Sequence, residues 1–174
     1  GHYEVVLIEY DPTKSSYGLL VRYALRNLDP FDGRGQFCDK GTSYRPAIFY
    51  GTEEERVEAE GAIEEALIEY PDWTRDDIEV PVLERPRFWK AEDYHQDYYV
   101  KNPRNYNFYK ERCGRTQRLK AVWGKEAYEL YHSTSTPSLN GTVTNSDGVL
   151  VDAEFNAKGA PPADGKAYLM PTYG

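Results

Sequence analysis

Two kinds of apolar pattern alternate along the first part of the chain, and this alternation constrains the fold more than any other feature. The β-branched run at 5–8, the run at 47–50 and the imperfect alternation at 78–84 each have the length of a strand. Between them, apolar residues recur at helical spacing and predict two amphipathic helices. The order strand, helix, strand, helix, strand predicts an α/β or α+β sandwich of sheet and helices. Pro81 indicates that the last strand is either an edge strand or an irregular one.

Capping and breaking residues mark the ends of these two helices. Ser15 or Ser16 can cap the first helix, which stops at Asp29-Pro30. Thr52 precedes three glutamates, which the positive end of a helix dipole favours, so a second helix begins there. Both predicted helices therefore have defined starts as well as apolar faces.

Length and composition indicate one compact domain followed by a tail. The chain has 174 residues, of which 40% are hydrophobic. We expect the domain to span 1–131, ending in a third helix over 116–131, and 132–174 to be a weakly ordered tail. A net charge of -8 argues against general binding to nucleic acids or anionic membranes. No apolar run reaches the roughly 18 residues that a membrane-spanning helix needs.

The two cysteines, Cys38 and Cys113, cannot form a disulfide framework. They are either free thiols or one redox pair. A zinc site built from them together with His2 and His95 is a remote alternative, because no two of these ligands are close enough in sequence to nucleate it.

The segment 35–46 combines two glycines, a thiol, a carboxylate, a phenol and a guanidinium. Glycine allows positive φ and close approach to a ligand, and the strand at 47–50 would fix where Asp39 and Tyr44 point. The segment is therefore either a polar site mounted on a strand or an ordinary turn.

Glu4 lies at the entrance of the first strand, where the period of two places it on the same face as Val6 and Ile8. Burial on an apolar face would raise the pKa of Glu4 toward a value suited to proton donation. The alternative is a solvated glutamate at the end of a strand.

The segment 85–125 is basic and rich in aromatic residues, a composition that can track a nucleic-acid strand. We disfavour that interpretation because acidic residues at 92, 93 and 97 interrupt the basic run. A short helix over 91–98 would instead place Tyr94, His95 and Tyr98 on one face.

Several of these segments occur in the order and spacing of the A-type peptide methionine sulfoxide reductases, which the chain resembles over about residues 1 to 125. The resemblance rests on Gly1-His2-Tyr3-Glu4-Val5-Val6, Tyr10-Asp11-Pro12, Asp29-Pro30, the run from Cys38 to Ile48, the run from Ala91 to Tyr98, and Lys101-Asn102-Pro103. It implies an α/β fold, an α+β two-layer sandwich with a ferredoxin-like sheet and packed helices. It also implies a chain that matches the C-terminal two-thirds of that domain and is N-terminally incomplete.

The resemblance implies reduction of methionine S-sulfoxide, free or in oxidised proteins, through a cysteine sulfenic acid. Thioredoxin or a small dithiol would be the reductant, with no bound cofactor or metal. We expect a monomer located in the cytoplasm or in an organelle, acting on neither nucleic acid nor membranes. A non-catalytic module that binds oxidised methionine or a partner protein is the alternative.

Roles follow from the resemblance motif by motif. Glu4 corresponds to the acid that protonates the sulfoxide oxygen, Asp39 and Tyr44 to polar groups that orient water and bind that oxygen, and Tyr98 and His95 to pocket-lining residues.

The cysteines depart from the family pattern. The family's nucleophile lies in a Gly-Cys-Phe-Trp segment upstream of the match, and this chain contains no Cys-Phe-Trp. Asp39 disfavours the thiolate of Cys38, which we therefore expect to be a packing residue. Cys113, between Arg112 and Arg115, is either the resolving cysteine or a surface thiol.

Overall fold

The computed structural model describes residues 2–132 and 166–169, which form strands and helices in mixed order. The strands are β1 (Val6–Glu9), β2 (Gly35–Gln36), β3 (Asp39–Lys40), β4 (Ile48–Tyr50), β5 (Val82–Glu84) and β6 (Lys166–Leu169). The helices are α1 (Tyr17–Arg26), α2 (Glu53–Glu69), α3 (Tyr98–Lys101), α4 (Pro103–Arg112), α5 (Arg115–Trp123) and α6 (Lys125–His132). Two 3-10 turns lie at Thr42–Tyr44 and Arg75–Asp77.

Four of the strands form a mixed sheet in the order β1-β6-β4-β5. β6 runs antiparallel to both of its neighbours, and β4 and β5 are parallel, with Ile48 opposite Val82. Two parallel strands need a crossover, which α2 supplies. This arrangement of sheet and helices confirms the predicted α/β class. β5 also lies at an edge, which is one of the two alternatives that Pro81 indicates.

Both predicted helix starts carry a side-chain cap. Ser16 Oγ accepts a hydrogen bond of 3.2 Å from the backbone nitrogen of Leu19 at the start of α1. Thr52 Oγ1 accepts one of the same length from Glu55 at the start of α2.

The main core lies between α1, α2 and β4. Its fully buried side chains are predominantly apolar and include Tyr17, Leu20, Val21, Ile48, Ile63 and Val80. At its edge, Arg22 donates two hydrogen bonds, of 2.5 and 2.6 Å, to the Glu65 carboxylate and so joins α1 to α2.

A second cluster, which we call the packed aromatic cluster, consists of Phe31, Tyr70, Trp73 and Trp123 and seats α5 against the end of α1. The Tyr70 and Trp73 rings stack at 4.3 Å, and Trp73 meets Trp123 edge to face at 5.1 Å. Trp123 Nε1 donates a hydrogen bond of 2.9 Å to the carbonyl of Leu28. The ring nitrogen of Trp123 is thus satisfied inside the cluster.

The C-terminal part differs from the sequence prediction in two places. The third helix is divided into α5 and α6 at Gly124, whose φ of 85° a continuous helix cannot contain. Within the predicted tail at 132–174, His132 ends α6 and Lys166–Leu169 forms β6, while 133–165 and 170–174 lie outside the described residues. Among the residues that are described, no helix is both long and apolar enough to cross a membrane.

Candidate active site

Glu4 lies just before β1 and is tied to the segment that carries Tyr44. Its backbone nitrogen donates a hydrogen bond of 2.9 Å to the carbonyl of Ser43, in the 3-10 turn at Thr42–Tyr44. The side chain is half-buried, and this burial, followed by the nearby Asp39 carboxylate, raises the pKa of Glu4. The direction is the one predicted for a proton donor.

Asp39 begins β3, in a hairpin whose backbone requires glycine. Gly35 (φ 154°) pairs with Lys40, and a β-carbon at Gly35 would collide with the carbonyl oxygen of Asp39. Gly41 (φ 127°) leaves β3 and donates a hydrogen bond of 2.9 Å to the carbonyl of Arg34. The glycines of this segment therefore serve the close approach that the sequence suggested.

Phe37 occupies the hairpin turn with a φ of 49°, in the left-handed region that favours glycine. For a residue with a β-carbon this conformation costs about 1 kcal/mol. Contacts of the Phe37 ring offset this cost. The ring packs against the packed aromatic cluster and lies 5.0 Å from the Arg115 guanidinium.

The base of the hairpin is held by buried polar contacts. The Gln36 side chain accepts a hydrogen bond of 2.8 Å from the nitrogen of Asp29 and donates one of 2.9 Å to its carbonyl. The Asp29 carboxylate in turn accepts two hydrogen bonds, of 2.6 and 3.1 Å, from Arg118 on α5. The hairpin is therefore anchored to the segment that follows α1 and, through Asp29, to α5.

An open cavity of about 610 Å³ brings together all five side chains predicted for catalysis and substrate binding, Glu4, Asp39, Tyr44, His95 and Tyr98. A carboxyl group with a raised pKa, a second carboxylate, phenols and an imidazole thus face one space. Such a set can donate a proton and hydrogen bonds to an oxygen atom within it.

The segment at 91–98 reaches this cavity without forming the predicted helix. It is a series of turns, and Asp97 takes a φ of 56°, so helix α3 begins only at Tyr98. The His95 ring lies 4.3 Å from the Tyr94 ring, and His95 Nε2 lies 3.9 Å from the Glu92 carboxylate. The helical periodicity therefore identified the lining residues but not their backbone.

One wall of the cavity, formed by Asn105, Tyr106, Phe108 and Tyr109 of α4, was not assigned to the site from the sequence. Tyr109 Oη donates a hydrogen bond of 2.6 Å to Asp39 Oδ1. Burial, followed by this contact with Asp39, raises the pKa of Tyr109 to about 12. The available signal was Pro103 at the first helical position, followed by residues at helical spacing.

Cys38 and Cys113 form a disulfide, with their Cα atoms 5.2 Å apart. The sequence left open whether these cysteines are free thiols or one redox pair, and in the structure they are paired. The packing role expected of Cys38 is replaced by a covalent bond, because the hairpin turn places it beside the end of α4. No group of three or more metal-ligating residues occurs in the described part of the chain.

Comparison with known proteins places the chain among sulfoxide reductases. The chain is 45% identical over 124 residues to the peptide methionine sulfoxide reductase MsrA 2 of Caulobacter vibrioides, covering 71% of this chain and 61% of that one. It is 42% identical over 130 residues to MsrA 2 of Rhizobium meliloti, covering 74% and 63%. The crystal structure of Mxr1 from Saccharomyces cerevisiae in reduced form aligns at a TM-score of 0.49 and 29% identity, over 55% of this chain and 50% of that one.

The chain thus spans less than two thirds of the length of these two bacterial relatives. The model of one family, described as peptide methionine sulfoxide reductase, matches residues 1–127, which include Glu4, the hairpin and helix α4. This match shows that the chain belongs to the peptide methionine sulfoxide reductase family.

Proposed function

We propose that the full-length protein reduces methionine S-sulfoxide, free or in oxidised proteins, to methionine. The observation that carries this proposal is the Glu4 carboxyl, which has a raised pKa and shares one cavity with Asp39 and Tyr44. A sulfoxide oxygen leaves readily only as a protonated group, so a carboxyl group whose pKa is raised by burial suits this chemistry.

In the first step, a cysteine thiolate attacks the sulfoxide sulfur, and the nucleophile would lie upstream of this chain. Glu4 donates a proton to the oxygen, and Tyr44 and Asp39 bind or orient that oxygen and nearby water. The sulfur–oxygen bond then breaks and the protonated oxygen leaves as water. A water molecule attacks the cysteine sulfur, and the bond between the two sulfur atoms breaks. The products are methionine and a cysteine sulfenic acid, with His95 and Tyr98 lining the pocket.

A second thiol then condenses with the sulfenic acid to give a disulfide and water. Thioredoxin or a small dithiol reduces this disulfide by supplying two electrons and two protons. If Cys113 is the resolving thiol, its disulfide with Cys38 has to be reduced first, because only a free thiol can condense with a sulfenic acid. We propose that the protein acts as a monomer in the cytoplasm or in an organelle.

The test is an epimer-resolved assay of the full-length protein. Peptides containing methionine S-sulfoxide or R-sulfoxide are incubated with the protein and dithiothreitol, and methionine is separated by chromatography. We expect only the S-epimer to be reduced. Binding of the S-epimer without any methionine formed would favour the non-catalytic module, which family membership does not favour.

A further inference from the structure

Three successive residues of the hairpin, Phe37, Cys38 and Asp39, each contact the junction between α4 and α5. We call the contacted residues, Tyr109, Cys113 and Arg115, the α4–α5 corner. The contacts are a cation–π pair between Phe37 and Arg115 at 5.0 Å, the disulfide of Cys38 with Cys113, and the hydrogen bond of 2.6 Å from Tyr109 to Asp39.

The corner itself is rigidly placed. Tyr109 and Cys113 are four residues apart, so both lie on one side at the end of α4. Gly114 has a φ of 65° and ends that helix, so that α5 begins at Arg115. Arg115 is 4% exposed and donates a hydrogen bond of 2.8 Å to the carbonyl of Asn27.

The hairpin turn, in contrast, is strained and needs support from outside. Phe37 takes positive φ without being glycine, a conformation that persists only where surrounding contacts determine it. Asp39 follows this turn by two residues, so loosening of the turn would displace the Asp39 carboxylate.

We propose that the disulfide between Cys38 and Cys113, together with Tyr109, positions the Asp39 carboxylate in the cavity, and that reduction of this disulfide lowers the reactivity of the site. The proposal rests on the proposed function because it concerns a side chain of the same site. Tyr109 is in this sense a positioning residue, acting through Asp39.

The bond is accessible to a reductant, because Cys38 is exposed and Cys113 half-buried. A dithiol attacks one sulfur and then displaces the other. Two electrons and two protons pass to Cys38 and Cys113, and the dithiol leaves as its own disulfide. The two cysteine side chains are then free to separate. Of the three contacts with the corner, the Tyr109 hydrogen bond and the Phe37–Arg115 pair remain.

The first test follows the phenol directly and does not depend on activity. Full-length protein is labelled with ¹³C at tyrosine Cζ, and the Tyr109 resonance is assigned by its loss in Tyr109→Phe. We expect dithiothreitol to move this resonance toward the position of solvent-exposed tyrosines, and Cys38→Ala to reproduce the change. A Tyr109 resonance that stays in place in both cases would overturn the proposal.

The second test measures the first turnover, a step that needs neither a resolving cysteine nor a reductant. At saturating S-sulfoxide peptide, we expect Tyr109→Phe to form the first methionine about tenfold more slowly, as expected for loss of a hydrogen bond to a charged group. Because this variant keeps the disulfide, it remains informative even if the cysteine variants fold poorly. Tyr128→Phe is the matched control, since that phenol contacts Thr116 instead of the cavity residues.

The cysteine variants separate positioning from recycling. We expect Cys38→Ala and Cys113→Ala to slow the first turnover by similar factors, because either change breaks the same bond. First turnovers at the wild-type rate in both variants would contradict the proposal, even if Cys113→Ala impaired later turnovers. Absence of any first turnover in the wild-type protein would refute the proposed function, and the tyrosine resonance would still decide the positioning role.

Discussion

The packed aromatic cluster and the cavity wall are built from the same kinds of residue but differ in what covers them. Trp123 is 2% exposed and its ring nitrogen meets a backbone carbonyl. Phe108 and Tyr94 at the cavity are 61% and 65% exposed. The difference shows that aromatic content alone does not identify a core. What decides is whether the rings and their polar atoms find partners within the fold.

The comparison also explains why the segment 85–125 is rich in aromatic residues. Its N-terminal half supplies Tyr94, His95 and Tyr98 to the cavity, whereas its C-terminal half supplies Trp123 to the packed aromatic cluster. One compositional segment therefore serves two purposes. Helix α4 lies between these two parts and contributes to the cavity.

The largest expected difference concerns stability. We expect Trp123→Ala to lower the free energy of unfolding by about 4 kcal/mol, because it leaves a void in a close-packed cluster. The matched variant Trp89→Ala, whose side chain is 68% exposed, should change it by less than about 0.5 kcal/mol. Urea denaturation followed by circular dichroism measures both. Equal losses would mean that the two regions do not differ in packing.

The next largest effect is on turnover. We expect Glu4→Gln to lower reduction of S-sulfoxide at least about 100-fold, because an amide cannot protonate the leaving oxygen. Its urea midpoint should remain close to that of the wild type, since the side chain is only half-buried. Glu54→Gln, at an exposed position of α2, is the matched control and should retain full turnover. A fully active Glu4→Gln would remove Glu4 from the mechanism.

The smallest effect is a difference in how the unfolding free energy depends on pH. It concerns Glu4 in the cavity and Glu65, which pairs with Arg22 between α1 and α2. Burial raises the pKa of Glu4 in the folded protein above its pKa in the unfolded chain. The contribution of Glu4 to stability is therefore present below the unfolded pKa and is lost as the pH rises through the folded pKa. The pKa of Glu65 is lowered by hydrogen bonds from Arg22, so its contribution is present above the unfolded pKa and lost as the pH falls through the lowered one.

Both side chains are only partly buried and remain in contact with water, so each effect should stay below about 1 kcal/mol. Unfolding free energies of Glu4→Gln and Glu65→Gln, measured from pH 3 to 7 relative to wild type, should therefore diverge in opposite directions as the pH rises. Glu4→Gln should gain stability and Glu65→Gln should lose it. Parallel curves would show that the two carboxyl groups have similar environments.

Local patterns predicted the parts of the fold that depend on local interactions. Capping chemistry predicted the helix starts at Ser16 and Thr52. Proline chemistry predicted that the strand ending at Glu84 is an edge strand or an irregular one, and it lies at a sheet edge. Burial raises the pKa of Glu4 as predicted, although β1 begins only at Val6 and Glu4 lies just before it. Family motifs placed the predicted site residues in one cavity, although their catalytic roles stay proposals.

Long-range contacts were not predictable in the same way. The pairing of Cys38 with Cys113 joins residues 75 positions apart, and no local pattern reports such a distance. The hydrogen bond from Tyr109 to Asp39 depends on how α4 docks. The backbone conformations at Asp97 and Phe37 were also missed, because positive φ is uncommon for residues other than glycine and no local pattern marked these two positions.

The placement of the three tryptophans gives the protein two separate optical reporters. Trp73 and Trp123 touch within the packed aromatic cluster, so their shielded indole emission reports on unfolding. Trp89 is exposed and lines a groove together with Glu4 and His95. Its longer-wavelength emission, which acrylamide can quench, therefore reports on occupancy beside the cavity. Substrate titrations and denaturation curves can thus be recorded on the unlabelled protein by choosing the emission wavelength.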